Sequence, residues 1–201
     1  MQNLICVTGP RGAGKETVLN LMLSCFPKEN SVHRIVPFTT REKRENETDG
    51  KEYFFISELE FLEIQKHRRE EILCSVQIGE DEDKDKYRSG TLKSEFDRYK
   101  NGIIDVTVEG ARTLSCHAKN SLLIYVYANP DERIKRIMLR QNINEREAST
   151  LIQNEPSPST LETVGILYPE FLILYNHDGH LIQVERIIKK SLSKIFKTSI
   201  Y

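Results

Sequence analysis

The sequence predicts an α/β domain built on a doubly wound parallel sheet, and three observations predict it. An apolar run, Leu4-Ile5-Cys6-Val7, passes through a glycine-rich turn at 9–15 into Val18-Leu19-Asn20-Leu21-Met22-Leu23, whose apolar residues have helical spacing. Near-continuous apolar runs recur at 103–108, 122–127 and 171–175, the character of parallel strands buried on both faces. Helical stretches separate these runs, so the strands follow one another by crossover and any ligand belongs at their carboxyl ends.

The totals are consistent with that architecture. A chain of 201 residues can bury one sizeable core, and 38% hydrophobic with 29% charged residues describes a globular composition. The formal charge of −1 gives no overall field for nucleic acid or an acidic membrane, so anions must be held by local basic clusters. Cys6, Cys25, Cys74 and Cys116 form no CxxC pair and read as reduced thiols of a cytoplasmic protein. The chain enters a strand at once, so no signal peptide is expected, and no apolar run approaches a membrane span.

Taken in order, β-structure over 4–7 leads through the turn into a helix ended by Phe26-Pro27. A second strand is expected over 33–38. The densest polar segment follows, containing the turn signal Asp49-Gly50 and a strand over 53–56. Ser57-Glu58-Leu59-Glu60 reads as a capping box opening a helix over about 58–69. A strand is expected over 72–78, a charged tip over 80–86 and a helix over about 92–100. The strand over 103–108 comes next, then the one over 122–127. Asn129-Pro130-Asp131-Glu132 opens a helix carrying Arg133, Lys135, Arg136 and Arg140. Asn144 starts another, which ends in the loop at Pro156-Ser157-Pro158. An amphipathic helix over 183–196 closes the chain after the strand over 171–175. His177 and His180 read as surface histidines.

Residues 9–15, Gly-Pro-Arg-Gly-Ala-Gly-Lys, match a phosphate loop between strand and helix. Glycines let successive N–H groups face phosphate oxygens, the helix N-terminus adds positive potential, and Lys15 reaches the outer phosphates. Gly9, Arg11, Gly12, Ala13, Gly14, Lys15, Glu16 and Thr17 are the candidate donor-binding residues. The pattern asks for a metal-ligating hydroxyl after the lysine. Glu16 stands there instead, and the hydroxyl comes one residue later at Thr17.

The run Thr39-Thr40-Arg41-x-x-Arg44-x-x-Glu47-x-x-Gly50-x-x-Tyr53-x-Phe55, at this distance after the loop, resembles the guanylate kinase family. Tyr87-x-Ser89, the strand ending at Asp105, Arg136-x-x-x-Arg140 and Leu174-Tyr175-Asn176 extend the resemblance over nearly the whole chain. It implies a P-loop NTPase-type core over 1–36 and 97–201, a small β-rich acceptor lobe over about 37–96 and a helical lid over about 133–158. It implies transfer of a phosphoryl group from ATP, with Mg²⁺, to a nucleoside monophosphate, GMP or dGMP first. Nucleic acid and membrane are not expected partners, and the chain is expected as a monomer or homodimer.

By resemblance, Arg41, Arg44 and Tyr53 hold the acceptor's phosphate, a bidentate task suited to guanidinium forks. Tyr87, Ser89, Cys74 and Thr107 complete the acceptor site. Lys15, Arg41, Arg136, Arg140 and Asp105 form the catalytic set, Asn176 lies at the adenine, and Thr17 or Asp105 serves the metal. Departures cluster where the family reads guanine. Cys74 stands in place of a glutamate unless Glu70 or Glu71 slips into register, Thr107 in place of an aspartate, and Pro37 in place of a serine. Arg88 replaces a glycine before Ser89, and Arg146 is the nearest candidate for a third lid arginine. Two alternatives therefore stand beside GMP. One is a non-guanine acceptor such as ribose 1,5-bisphosphate, whose kinases have a similar loop with an acidic residue before the hydroxyl. The other is a non-catalytic guanylate kinase-like binding module.

Overall fold

β1 (Asn3–Thr8) is the middle strand of a five-stranded, wholly parallel sheet. Its neighbours are β7 (Asn101–Asp105) and β8 (Asn120–Tyr127), with β2 (Val32–Arg34) outside β7 and β9 (Phe171–Tyr175) outside β8. The computed structural model describes residues 3–25, 32–45, 47–78, 86–153 and 170–177, together with Arg186 and Lys190. The closing helix apart from Arg186 and Lys190, the loop at 156–158, the end of the lid, His180 and all of the charged tip but Lys86 lie outside the described residues.

Alternation along β1 explains the layering. Ile5 and Val7 pack with Val18, Leu19 and Met22 of α1 (Lys15–Cys25). Leu4 and Cys6 pack on the other face with Ala111 and Leu114 of α4 (Val108–Ser115). Period-two side chains meet a helix on each face, which makes the sheet doubly wound. The fold is the mixed α/β, P-loop NTPase-type architecture expected.

α4 is a correction. Val106, Thr107 and Val108 carry β-branched side chains and extend the apolar pattern into an apparent strand of 103–108. The strand instead stops at Asp105, and Thr107 caps α4, its Oγ1 accepting from Gly110 N at 3.1 Å. The strand expected over 33–38 is likewise two strands in two sheets. β2 ends at Arg34, and β3 (Phe38–Thr39) begins after Pro37, which has no N–H for either ladder.

β3 belongs to a second sheet of order β4-β3-β6-β5, with β4 (Phe54–Phe55), β5 (Ile72–Ile78) and β6 (Tyr87–Leu92). Residues 87–92 pair along the whole of β5, leaving only five residues, Lys93–Asp97, for the helix (α3) expected over 92–100. The core of this sheet is Phe38, Phe61 and Ile72, with Phe61 from α2 (Glu58–His67). The Ser57 capping box is as expected: Glu60 N donates to Ser57 Oγ, and Ser57 N to Glu60 Oε2. α2 stops short of residue 69, where a single 3₁₀ turn (Arg69–Glu71) leads into β5. α5 (Pro130–Gln141) and α6 (Glu145–Thr150) follow β8, joined through Asn142 at φ +53°.

Candidate active site

The loop leaving β1 is shaped by glycines that admit no side chain. A Cβ on Gly9 (φ +143°) would lie 2.2 Å from Val126 O, and one on Gly12 (φ +74°) 2.8 Å from Arg133 O. Around the loop, its carbonyls accept hydrogen bonds from side chains. Lys15 Nζ donates to Gly9 O (2.9 Å) and Pro10 O (3.3 Å), and Arg133 Nε to Arg11 O (2.7 Å). Arg136 Nη1 donates to Gly12 O (3.2 Å) and Ala13 O (3.3 Å), and Asn176 Nδ2 to Ala13 O (2.8 Å). Fixing carbonyls outward is what such a loop requires if its N–H groups are to face an anion.

Arg136 and Asn176 thus sit together at the donor loop, joined through Arg136 Nη2 to Asn176 O (3.1 Å). Asn176 is itself held by its N–H to Tyr127 O (2.7 Å). Arg133, which sequence reasoning passed over as one basic residue among several, is 6% exposed, and burial pushes its pKa down. Its spacing of three from Arg136, which puts both on one helix face, was the available signal.

On the lobe, Arg41 closes a bidentate pair with Glu47, Nη1 to Oε2 at 2.7 Å and Nη2 to Oε1 at 2.6 Å. Its guanidinium lies over the rings of Tyr53 and Phe55, 5.1 and 5.5 Å from their centroids. Burial opposes the charge of Arg41, but Glu47 outweighs it and raises the pKa. Arg44 donates its N–H to Glu47 Oε2 (3.0 Å) and keeps a mostly exposed side chain. Burial raises the Tyr53 phenol, helped by the charge of Asp105. Tyr87, the first residue of β6, lies within electrostatic reach of Arg41 and Tyr53.

Arg140 approaches this group from α5. Partial burial and the like charges of Arg44, Arg11 and Arg41 depress its pKa, while Glu47 acts the other way. Guanidinium groups from the loop after β1 and from the lobe thus lie within electrostatic reach of Arg140 on α5. Arg146, by contrast, lies exposed on α6.

Asp105 stands at the carboxyl end of β7, partly buried. Burial raises its pKa against the lowering effect of Lys15 and Arg34, with Glu16 adding to the rise. Glu16 forms a bidentate pair with Arg34, at 2.6 and 3.0 Å. Thr17 lies exposed in the first turn of α1. Among the described residues, no group of three His, Cys, Asp or Glu side chains is placed to hold a metal.

Beside Asp105 a narrow cleft is lined by Pro37, Cys74, Ser89, Thr91 and Thr107. Cys74 faces inward by alternation from Ile72, beside a bulge: Ile72 pairs with Leu92 but Cys74 with Thr91, leaving Leu73 extra. Glu70 and Glu71 remain in the turn before β5 and do not line the cleft. Burial pushes the Cys74 thiol up, so it stays neutral. Ser89 Oγ donates to Phe38 O at 3.1 Å.

The chain matches the guanylate kinase family model over residues 1–178. It is similar to the guanylate kinase of Thermotoga maritima, 33% identical over 156 residues, 76% of this chain and 70% of that protein. It is also similar to the guanylate kinase of Porphyromonas gingivalis, 33% identical over 152 residues, covering 73% and 76% of the two chains. The crystal structure of guanylate kinase from Anaplasma phagocytophilum has the same fold, with a TM-score of 0.63 at 18% identity, covering 99% of this chain and 89% of that one. Among the described residues no helix is long and apolar enough to cross a membrane.

Proposed function

The chain belongs to the guanylate kinase family, and on that premise we propose that it transfers the terminal phosphoryl group of ATP to GMP or dGMP. It is a phosphotransferase of the nucleoside monophosphate kinase type. The observation that carries the finer reading is the convergence of Arg11, Arg41, Arg44 and Arg140 between the donor loop and the lobe. Like charges brought so close favour an anion among them, and phosphoryl transfer between nucleotides brings two polyanions together.

Arg41, held flat by Glu47 and the Tyr53 ring, presents a fixed cation to the acceptor phosphate, and Tyr53, kept protonated, adds a hydroxyl donor. Lys15 neutralises the outer phosphates of the donor, and Arg140 spans donor and acceptor. Arg133, Arg136 and Asn176 hold the loop to shape, so the donor is oriented before reaction.

The residues present fit Mg²⁺ in their donor chemistry. Asp105 brings a carboxylate within electrostatic reach of Lys15, and Mg²⁺ is bound by one or two carboxylates with substrate phosphates, whereas both oxygens of Glu16 are taken up by Arg34. Asp105 would hold the ion through its water, with Thr17 as the nearby hydroxyl, and the ion supplies charge neutralisation on the phosphates.

One observation favours a second reading, a non-guanine acceptor. The cleft offers a neutral thiol at Cys74, and Thr107 Oγ1 is already engaged as a helix cap. Guanine's ring N–H and amino group call for strong acceptors. A coupled ADP-release assay with MgATP across GMP, dGMP, AMP, CMP, UMP, dTMP and ribose 1,5-bisphosphate separates the readings. GMP or dGMP is expected to win by kcat/KM; a clear win for any other acceptor overturns the guanine assignment.

A further inference from the structure

Glu16 puts a negative charge on the first turn of α1, immediately after the lysine of the donor loop. Uncompensated, that charge would repel a polyphosphate where the helix N-terminus otherwise attracts one. Arg34, at the end of β2, meets it with both prongs, Nη1 to Oε1 at 2.6 Å and Nη2 to Oε2 at 3.0 Å. Asn20 Nδ2 donates to Oε1 as well, at 3.3 Å. The partners are unequal in exposure: the arginine side chain is 14% exposed and the glutamate 49%. The guanidinium is therefore enclosed while the carboxylate sits at the rim.

Two further facts separate this pair from an ordinary surface ion pair. Arg34 Nε is enclosed and, among the described residues, has no hydrogen-bond partner, a burial that costs stability and that the pair alone does not justify. Arg34 also acts electrostatically on Asp105 and on Tyr53, so its charge is felt at both.

We propose that Arg34 is a positioning residue of the donor site: its two-pronged pair with Glu16 cancels that carboxylate and anchors it at the flank of α1, so that the loop binds the polyphosphate of a nucleoside triphosphate although the residue after Lys15 is acidic. The inference rests on the reading of residues 9–15 as the ATP site. It assigns a function to a residue that lies outside every motif in the sequence.

The test is calorimetric titration of ATP in EDTA, which reads binding without metal or turnover. Arg34→Ala is expected to weaken ATP binding about 10-fold. Arg34→Lys, which keeps the charge but not the fork, should fall between wild type and Arg34→Ala. The decisive variant is Arg34→Ala with Glu16→Gln, where the charge to be cancelled is gone; binding should return to within about 3-fold of Glu16→Gln alone. A merely structural role would leave the double variant as weak as Arg34→Ala, and that result overturns the proposal. So does an Arg34→Ala protein that binds ATP like wild type while Lys15→Met does not, which leaves the donor site standing. A wild-type protein that binds no ATP overturns both this inference and the reading beneath it.

Discussion

Around the donor loop, carbonyls of Gly9, Pro10, Arg11, Gly12 and Ala13 accept hydrogen bonds from Lys15, Arg133, Arg136 or Asn176. In the cleft beside Asp105, the facing groups are a proline ring, a neutral thiol and hydroxyls. The first region is fixed by charge and by backbone geometry, so almost any change there removes a specific bond. The second carries a single charged side chain, the Asp105 carboxylate, among uncharged groups. On the proposed reading, the difference teaches that phosphate handling and base selection are separable in this protein. The charged groups assigned to phosphate have partners of their own outside the cleft.

The largest test of that separation is Lys15→Met, which should lower kcat/KM by about 10³-fold for every acceptor alike, with the thermal midpoint nearly unchanged. An acceptor-dependent loss would break the comparison. Next is Glu47→Gln, which removes the partner that holds Arg41. At pH 7 it should cost about 2 kcal/mol in a urea titration. Burial opposes the charge of Glu47, but its bonds from Arg41 and Arg44 hold the carboxyl below the ordinary value of 4.5. The stability it contributes is therefore complete above pH 4.5 and lost as pH falls through the lower folded value. The gap between wild type and variant should close over that acid window; a gap that stays constant with pH would show that the pair is not what Glu47 contributes. The smallest effect is expected for Cys74→Ala, less than about 3-fold in kcat/KM for any acceptor, since a neutral thiol forms only weak hydrogen bonds. A selective loss for one base would sharpen the comparison by showing that Cys74 reads it.

Legibility in the sequence divides along the same line. The donor loop and the run from Thr39 to Phe55 are local patterns, whose spacing shows in the chain itself. Arg34 was illegible because its partner stands 18 residues away, and with the partner of Arg133 122 residues away only the spacing from Arg136 signalled that residue. α4 was hidden by Val106 and Val108, which read as strand until Thr107 is seen to cap a helix. The break at Pro37 was visible as a proline but not as a change of sheet, because nothing local says which ladder a strand joins. Cys74 was legible from its alignment after Glu71, while the bulge beside it shows only in the pairing with β6.

The central position of β1 has a consequence in time. β1 is the middle of the sheet and is made before both of its partners, which begin at residues 101 and 120. At about 5–20 residues per second, a ribosome releases β1 many seconds before the strands that flank it. The loop after β1 waits longer still, because Asn176 must emerge before Ala13 O receives its bond. A nascent chain stopped short of residue 176 would carry the run from Thr39 to Phe55 but a loop still missing its bond to Ala13 O, so on the proposed reading ATP binding waits for Asn176.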